Sequence, residues 1–504
     1  MENGRLQRTI NKVRKHHSSA FRSTVFTGGS EVIGLFASIL RSKFAALYLG
    51  VGGISIFSLL TQLATLVTTL TDFGVTTSGV RQIASAHGST DEQEVSRVAR
   101  SLRLLAWVTA TVGATLTVLL SNTIGRITFG TDEYNTQILY IGGAIFVAQI
   151  SAGQSALLAG LGKVRELAMQ RVIVAVLGTV LVVPLYSLFG AAAIGPAILG
   201  LGLLTLVGSW WQSRQIPLQP VDLKLGLVIE KAWPIVLNGL PILWSSLAFL
   251  GASYFVGIMV QDTSGLHGSG LYQAAWAISG YLVGFVLTAT SQDFFPRLSA
   301  HVHDRAVAAD LVNAQIEIGV LVSLPSMLLF SACGRWTVPA LLSQDFISCI
   351  EIMQVLCLGS FGRIVNWPML FVLNAAKKST QHVAAVTFAA AMYVVFAWLG
   401  LRAFGAIGAA LGFAMMHFVH FVWMRITVGR LIGFAYTRDA ALLIAIGAVL
   451  LALAPLMNPW AGLAIGLISA HFCVRSLCGK LGPNHRLVDF VSRTPVLGRI
   501  YVRH

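Results

Sequence analysis

Long runs of uncharged residues recur along the whole chain and constrain its fold more than any other feature. One of them, LYQAAWAISGYLVGFVLTA at 271–289, holds nineteen residues without a charge. A helix of about 20 such residues crosses the hydrocarbon core of a membrane. Only 11% of the 504 residues are charged and 55% are hydrophobic, whereas soluble domains carry about 25% charged residues. We therefore predict an all-α polytopic membrane protein.

The apolar runs predict fourteen transmembrane helices. Their expected spans are 24–49, 52–76, 104–122, 138–159, 171–188, 193–211, 233–257, 271–292, 314–333, 347–374, 383–401, 404–424, 439–456 and 459–477.

Lysines and arginines are distributed unevenly between the predicted loops. The N-terminus, alternate loops and the C-terminal tail hold 29 of the 35, and the opposite loops hold only Arg126, Arg335 and Arg402. Cytoplasmic loops of membrane proteins are enriched in these residues. The pattern predicts that both termini are cytoplasmic, and it explains the net charge of +15 without a nucleic-acid partner.

An internal repeat divides the chain into two halves. LFGAAAIGPA at 188–197 recurs as AFGAIGAA at 403–410, GLGK ending at Lys163 recurs as NAAK ending at Lys377, and TDFGVTTSGVRQIASAH at 71–87 resembles QDFFPRLSAH at 292–301. Parallel repeats of this kind are found in many transporters. The predicted organisation is a basic cytoplasmic N-terminus at 1–23, an N-lobe of six helices at 24–211, a cytoplasmic linker at 212–232, a C-lobe of six helices at 233–424, helices thirteen and fourteen at 439–477, and a basic cytoplasmic tail at 478–504.

The first two helices carry polar residues at helical spacing. In helix one, Glu31 and Arg41 share one face, and Lys43 lies roughly opposite. In helix two, Gln62, Thr65 and Asp72 belong to a polar stripe. An arginine within a membrane helix costs about 2.5–3.5 kcal/mol, so it needs a partner or a function. The polar face predicts a water-filled cavity; the alternative is hydroxyl bonding to the backbone or across a dry helix interface.

The second half shows a similar pattern. Helix eight carries Gln273 and Trp276, and in helix ten Arg363 and Trp367 share a face. We assign Arg363 to the same cavity, with a salt bridge that holds the bundle together as the alternative.

Helix eight ends in QDFFPR, which combines Asp293, two aromatic residues, Pro296 and Arg297. The phenylalanines suit an interfacial aromatic belt, and a proline can end a helix. The repeat matches Asp293 with Asp72, which is followed by Arg81. These four charged residues predict two acid–base clusters at an inner gate.

Enzyme and metal signatures are missing from the sequence. It contains no GxxxxGK[ST], GxSxG or HExxH motif, and its five cysteines show no CxxC pair. We therefore expect no catalytic residues, no metal, no cofactor and no enzymatic activity.

Four stretches resemble the Wzx-type O-antigen and polysaccharide flippases, a branch of the multidrug/oligosaccharidyl-lipid/polysaccharide exporter superfamily. They are KFAALYLGVGGISIFSLLTQL at 43–63, DFGVTTSGVRQIA at 72–84, LYQAAWAISGYLVGFVLTATSQDFFPRLSAHVHD at 271–304 and IMQVLCLGSFGRIVNWPMLFVLNAAKKS at 352–379. The resemblance implies two pseudo-symmetric six-helix lobes around a central cavity, with two C-terminal helices added. It also implies alternating-access transfer of undecaprenyl-diphosphate-linked oligosaccharides to the outer leaflet of the bacterial inner membrane.

This resemblance assigns expected roles to the polar residues. Arginines suit a diphosphate because they bind it through several donors, and hydroxyl, amide and aromatic groups suit the sugar. The expected substrate-binding residues are Arg41, Arg363, Gln62, Thr65, Gln273, Trp276 and Trp367, and the expected coupling or gate residues are Glu31, Asp72, Arg81, Asp293 and Arg297.

Other partners and functions remain open at this point. Expected partners are a coupling proton or sodium ion, membrane lipids, and the polysaccharide polymerase and chain-length machinery. The alternatives are a peptidoglycan-precursor flippase, a drug or cation efflux transporter, and a membrane glycan polymerase or ligase. The last would usually need a larger outer loop than this chain provides.

Overall fold

The computed structural model describes the backbone of residues 2–88, 92–219 and 225–481. Fifteen α-helices and no strands lie in these ranges. The helices are α1 (Glu2–Asp72), α2 (Val75–Gly88), α3 (Glu92–Leu119), α4 (Ser121–Phe129), α5 (Asn135–Gly160), α6 (Val164–Phe189), α7 (Ile194–Arg214), α8 (Leu225–His301), α9 (Arg305–Ala332), α10 (Gly334–Leu341), α11 (Cys349–Ala375), α12 (Ser379–Phe404), α13 (Ala406–Ile432), α14 (Arg438–Leu453) and α15 (Pro459–Leu481).

Ten segments of the described chain are long and apolar enough to cross a membrane. Three of them, of 40, 51 and 39 residues, are too long for one crossing of about 20 residues. Each is divided in two, by Gly50 within α1, by the turn Gly190–Ala193 between α6 and α7, and by Gly265 within α8. Together with α15, the described ranges thus hold the fourteen long helices that the apolar runs predict.

Gly50 and Gly265 break their helices in the same way. Gly50 has φ 65° and ψ −172°, and Gly265 has φ 67° and ψ −179°. This backbone region is accessible essentially to glycine alone. We call the segments before and after Gly50 α1a and α1b, and those before and after Gly265 α8a and α8b.

The repeat is visible in the backbone at a spacing of 215 residues. Gly50 and Gly265 are separated by that number, and so are Gly190 (φ 55°) and Gly405 (φ 60°) at the turns after α6 and α12. Lys163 and Lys378, which directly precede α6 and α12, show the same spacing. The sequence match of Lys163 with Lys377 is therefore wrong by one residue. Lys377, in the bend before α12, is the equivalent of Gly162 in the first half.

Helix packing also recurs in the two halves. In the first half α5 packs against α3 and α7, and α6 packs against α7; in the second half α11 packs against α9 and α13, and α12 against α13. The chain divides into two compact units, Met1–Leu250 and Gly251–His504. The fold class predicted from the apolar runs and the repeat, an all-α polytopic protein with two similar six-helix bundles, is confirmed.

The two C-terminal helices pack within the second unit. Both α14 and α15 lie against α9. The segment before α14 is held by two buried polar residues of α9. Asn313 donates from Nδ2 to the Ala435 carbonyl at 2.9 Å, and Glu317 accepts a hydrogen bond from the Thr437 hydroxyl at 3.1 Å. These bonds fix the connection between α13 and the added pair.

Candidate functional site

The chain turns sharply after α1b, and Asp72 stabilises the turn. Phe73 and Gly74 both have positive φ, 47° and 72°, which ends α1b and lets α2 begin at Val75. The Asp72 carboxylate accepts a hydrogen bond from the Thr76 hydroxyl at 2.6 Å and from the Thr76 backbone N–H at 3.3 Å. Carboxylates are favourable at helix N-termini because they accept from the first free N–H groups. Asp72 therefore acts as the cap of α2.

A cavity of about 230 Å³ lies beside this turn, within the first compact unit. We call it the α1b–α2 cavity. Asp72, Thr68 and Thr69 line it from α1b, and Gly74, Thr76, Thr77, Ser78 and Arg81 line it from the turn and α2. The remaining wall is formed by Gln149 and Ala152 of α5, and by Leu243 and Ser246 of α8a.

The hydroxyl protons of the α1b threonines are already used inside the helix. Thr68 donates to the Ala64 carbonyl and Thr69 to the Thr65 carbonyl, both at 2.7 Å. Gln149 donates from its amide nitrogen to the Thr68 carbonyl at 3.0 Å and to the Thr71 hydroxyl at 2.8 Å. What these side chains can still offer to the cavity is acceptor oxygen.

Only part of the polar stripe predicted for helix two lines this cavity in the structure. Thr65 is exposed and donates to the Thr61 carbonyl at 2.8 Å, which is the backbone bonding considered as the alternative. Gln62 is partly buried, and neither Gln62 nor Thr65 lines the α1b–α2 cavity. Two predicted residues, Asp72 and Arg81, do line it.

Arg41 lies against α6 in the same unit. A Cβ added to Gly178 would come 3.0 Å from an Arg41 guanidinium nitrogen, so the missing side chain makes room for the arginine. The buried Tyr186 ring is close enough to interact electrostatically with Arg41.

The predicted aromatic residues of the second unit lie in two clusters. Trp276 stacks at 6.2 Å on Tyr393 and meets Phe413 edge-on at 4.9 Å. Trp367 packs 4.4 Å from Phe371 and 6.1 Å from Phe294. Each tryptophan therefore packs against neighbouring aromatic rings of the bundle.

The polar residues predicted for the second unit lie deep in the bundle. Gln273 on α8b is buried. Arg363 of α11 is partly buried and close enough to His417 of α13 to interact electrostatically. Asn366, one turn further along α11, donates to the His417 carbonyl at 2.9 Å.

The QDFFPR motif has a different structure from the one predicted. Helix α8 continues through Pro296 to His301, so the proline does not end it. Phe294 is only 1% exposed and packs in the core of the second unit, rather than in an aromatic belt. Arg297 is exposed. The side chains of Glu31 and Asp293 lie outside the part of the chain that the structure describes.

Asp72 and Asp293 do not occupy equivalent positions in the two halves. Asp72 ends α1b at a sharp turn, whereas Asp293 lies within the uninterrupted helix α8. The glycine breaks give a spacing of 215 residues, and the SAH ends of the two motifs a spacing of 214, but the two acids are 221 residues apart. The expected pairing of these acids is therefore wrong by about two helical turns.

Several residues that line the α1b–α2 cavity were not predicted from the sequence. Thr76, Thr77 and Ser78 of α2 were not predicted to contribute, whereas Arg81 of the same helix was. The signal is visible in DFGVTTS, since a glycine followed by hydroxyl residues marks a turn and the start of a helix. Gln149 and Ser246 carry no such local signal, because only tertiary packing brings α5 and α8a to this point.

Groups that could hold a metal are also absent from the described residues. No cluster of three or more His, Cys, Asp or Glu side chains is found among them. Four cysteines, Cys333, Cys349, Cys357 and Cys473, are free and buried.

Solved structures of membrane transporters share this fold. The chain superposes on the structure described as "Lipid II flippase MurJ, inward closed conformation" with a TM-score of 0.64 and 14% identity, over 92% of this chain and 99% of that one. An inward-facing multidrug resistance MATE family transporter of the MOP superfamily gives 0.63 and 16%, over 79% and 98%. A MOP superfamily transporter from Pyrococcus furiosus gives 0.60 and 17%, over 81% and 96%.

These matches define the class of protein to which the chain belongs. It is a polytopic membrane protein with the fold of the MOP superfamily of transporters and flippases. Residues 52–351 match the family described as polysaccharide biosynthesis protein, and the chain belongs to this family. No curated protein sequence matches the chain.

Proposed function

We propose that this protein is a flippase that moves undecaprenyl-diphosphate-linked oligosaccharide repeat units from the cytoplasmic to the periplasmic leaflet. The observation that carries the proposal is the coincidence of the two comparisons: a polysaccharide biosynthesis family on a transporter fold. A glycan assembled on a membrane lipid in the cytoplasm must cross the bilayer, and a transporter fold within that family suits this step. The substrates would include the oligosaccharides of O-antigen and lipopolysaccharide.

Arginines within apolar helices support an anionic substrate. Arg41 and Arg363 lie in α1a and α11, in segments apolar enough to span a membrane. A diphosphate in apolar surroundings needs compensating cations, and guanidinium groups bind phosphate oxygens in pairs. In this proposal the two arginines meet the diphosphate during transfer, and Gln62, Thr65, Gln273, Trp276 and Trp367 meet the sugars.

The charged loops support the orientation of the protein. We place it in the bacterial inner membrane with both termini cytoplasmic, because the basic residues concentrate in the loops on that side. Alternating access would expose the substrate to each leaflet in turn. The released repeat unit would pass to the polysaccharide polymerase and chain-length machinery.

Ion coupling is assigned to the acids in this proposal. Export of a diphosphate is favoured by about 2.3 kcal/mol per elementary charge for each 100 mV of membrane potential. Return of the unloaded arginines is then the costlier half of the cycle. Glu31, on the face of Arg41, compensates them, and Asp72, Arg81, Asp293 and Arg297 control the inner gate.

Transfer of lipid-linked oligosaccharide in liposomes tests the proposal directly. Purified protein is reconstituted and assayed with and without an imposed proton or sodium gradient. We expect transfer by the wild type, faster with one gradient, and slower turnover for Glu31→Gln with substrate still bound. Equal rates under all gradients together with full activity of Glu31→Gln would overturn the coupling.

The same assay separates the alternatives. Transfer of lipid II in preference to the oligosaccharide lipid would identify a peptidoglycan-precursor flippase. Transport of cationic drugs without lipid transfer would identify an efflux transporter. Lengthening of the glycan in the liposomes would identify a polymerase or ligase.

A further inference from the structure

We propose that the α1b–α2 cavity is a subsite for one monosaccharide of the transported glycan, recognised by Asp72, Arg81 and the acceptor oxygens of α1b and α5. This inference rests on the proposed function and extends it, since it assigns sugar selection to a defined cavity of the first unit.

The hydrogen-bonding inventory of the cavity favours a ligand rich in hydroxyl groups. The protons of Thr68, Thr69 and Thr76 are used within the protein, and the amide N–H groups of Gln149 are used by α1b. Their oxygens can still accept hydrogen bonds. Each sugar hydroxyl carries one proton to donate and two lone pairs, so a monosaccharide can donate to these oxygens and accept from Arg81.

The charges of the cavity disfavour the diphosphate at this point. Asp72 places a carboxylate at the N-terminus of α2 and accepts from Thr76, where a phosphate would otherwise bind. A phosphate here would therefore meet a negative charge and a helix end that is already capped. Asp72 with Arg81 on the same wall leaves the local charge balanced, which suits a neutral polyol.

The size of the cavity argues against a bare ion and against a longer glycan. Its volume of about 230 Å³ is many times the roughly 10–15 Å³ that admits one water molecule, and far more than a dehydrated cation needs. It is also below the ~300–1,000 Å³ of sites for drug-sized ligands. One sugar ring fits these limits, and Arg81 further disfavours a cation.

Binding to lipid probes tests the subsite. Wild-type protein in nanodiscs is titrated with undecaprenyl diphosphate and with the same lipid carrying one glucose, galactose, N-acetylglucosamine or rhamnose. We expect at least one glycosylated lipid to bind about tenfold more tightly than the bare lipid, the effect of one hydrogen bond to a charged group. Asp72→Asn and Arg81→Gln should reduce this preference.

Asp72→Asn changes both the cavity and the cap of α2, so a second variant is needed to separate the two effects. Ala152→Leu fills the cavity from α5 and leaves the cap intact, so it should abolish the preference as well. Asp262→Asn and Arg165→Gln change an exposed acid and an exposed base outside the cavity, and they should retain it.

Each outcome decides between the proposals. A sugar preference that survives in both Asp72→Asn and Ala152→Leu overturns the subsite, while binding of the lipid diphosphate still supports the flippase. Equal affinity of the wild type for bare and glycosylated lipids also overturns the subsite alone. Failure to bind any of the lipids overturns both. Sodium binding that depends on Asp72, with no effect of the sugar, would show a cation site instead.

Discussion

Arg41 shows how a charged residue is accommodated between two apolar helices. Its guanidinium lies beside Gly178, where an added Cβ would come 2.5 Å from Leu201 and 3.0 Å from an Arg41 nitrogen. A charged residue at a helix centre costs about 2.5–3.5 kcal/mol. In the proposed function this cation meets the diphosphate of the substrate.

We expect Arg41→Ala and Arg363→Ala to abolish lipid-linked oligosaccharide transfer while folded protein remains in the membrane. Arg41→Lys should restore part of the activity, since a lysine keeps the charge but loses the paired donors. Liposome transfer and detergent-solubilised yield measure the two effects. Lys43→Ala, on the opposite face of α1a, is the control and should be mild. Disappearance of the alanine variants from the membrane would make the arginines structural.

His417 and His420 are two buried histidines of α13. Both are 6% exposed, and among the described residues neither ring nitrogen of His417, nor Nε2 of His420, has a hydrogen-bond partner. A buried polar group without a partner costs about 1–3 kcal/mol. Without such partners these rings destabilise the second unit.

Replacing His417 by leucine should raise the stability of the purified protein by about 1 kcal/mol, because it removes buried unpaired nitrogens at similar volume. Thermal unfolding in detergent measures the change. His87→Leu alters an exposed histidine and should leave the midpoint unchanged. A lower midpoint for His417→Leu would show that the ring is bonded in solution, for example through water.

At the scale of elements, the two glycine breaks shape the long helices. Gly50 and Gly265 interrupt α1 and α8 in the same backbone conformation and at equivalent positions. A residue with a Cβ is strained there by about 1–3 kcal/mol. The breaks therefore depend on glycine itself and not on the packing around it, since no atom lies within 4 Å of a Cβ added at either position.

Gly265→Ala should consequently destabilise the protein by about 1–3 kcal/mol, as measured by chemical unfolding in mixed micelles. Gly251→Ala is the matched control, because Gly251 lies within the regular part of α8a and a Cβ there also meets nothing within 4 Å. It should be neutral or stabilising by up to about 1 kcal/mol, since alanine favours helix. Equal effects of the two changes would contradict the assigned strain.

At the scale of the whole molecule, the repeat and the charged loops describe one topology. A parallel repeat predicts that the turns after α6 and α12 lie on the same side of the membrane. The distribution of basic residues predicts that these turns are external.

Cysteine labelling in a background without native cysteines tests this topology. A cysteine at Ala191, exposed in the turn after α6, should react with an impermeant reagent added from outside; Ser85→Cys, exposed on α2, should react only after permeabilisation. The reverse pattern would show that the protein has the opposite orientation in the membrane. Labelling of both cysteines from one side would contradict the helix count.

The number of membrane helices, their approximate limits and the repeat could be predicted from the chain alone. Crossing hydrocarbon demands about 20 apolar residues whatever the helix packs against, and glycine at a turn such as Gly190 leaves the same mark in both halves. These are local requirements, so local sequence carries them.

Tertiary packing decided the rest. Lipid and protein interior are both apolar, so the sequence could not show that Phe294 enters the core of a bundle or that Trp276 stacks on Tyr393. The α1b–α2 cavity depends on the turn at Asp72 and on Gln149, which lies far away in the chain and reaches α1b only because α5 packs there. The positions of polar groups in space, and hence the ligand they suit, follow from helix contacts that no single helix specifies.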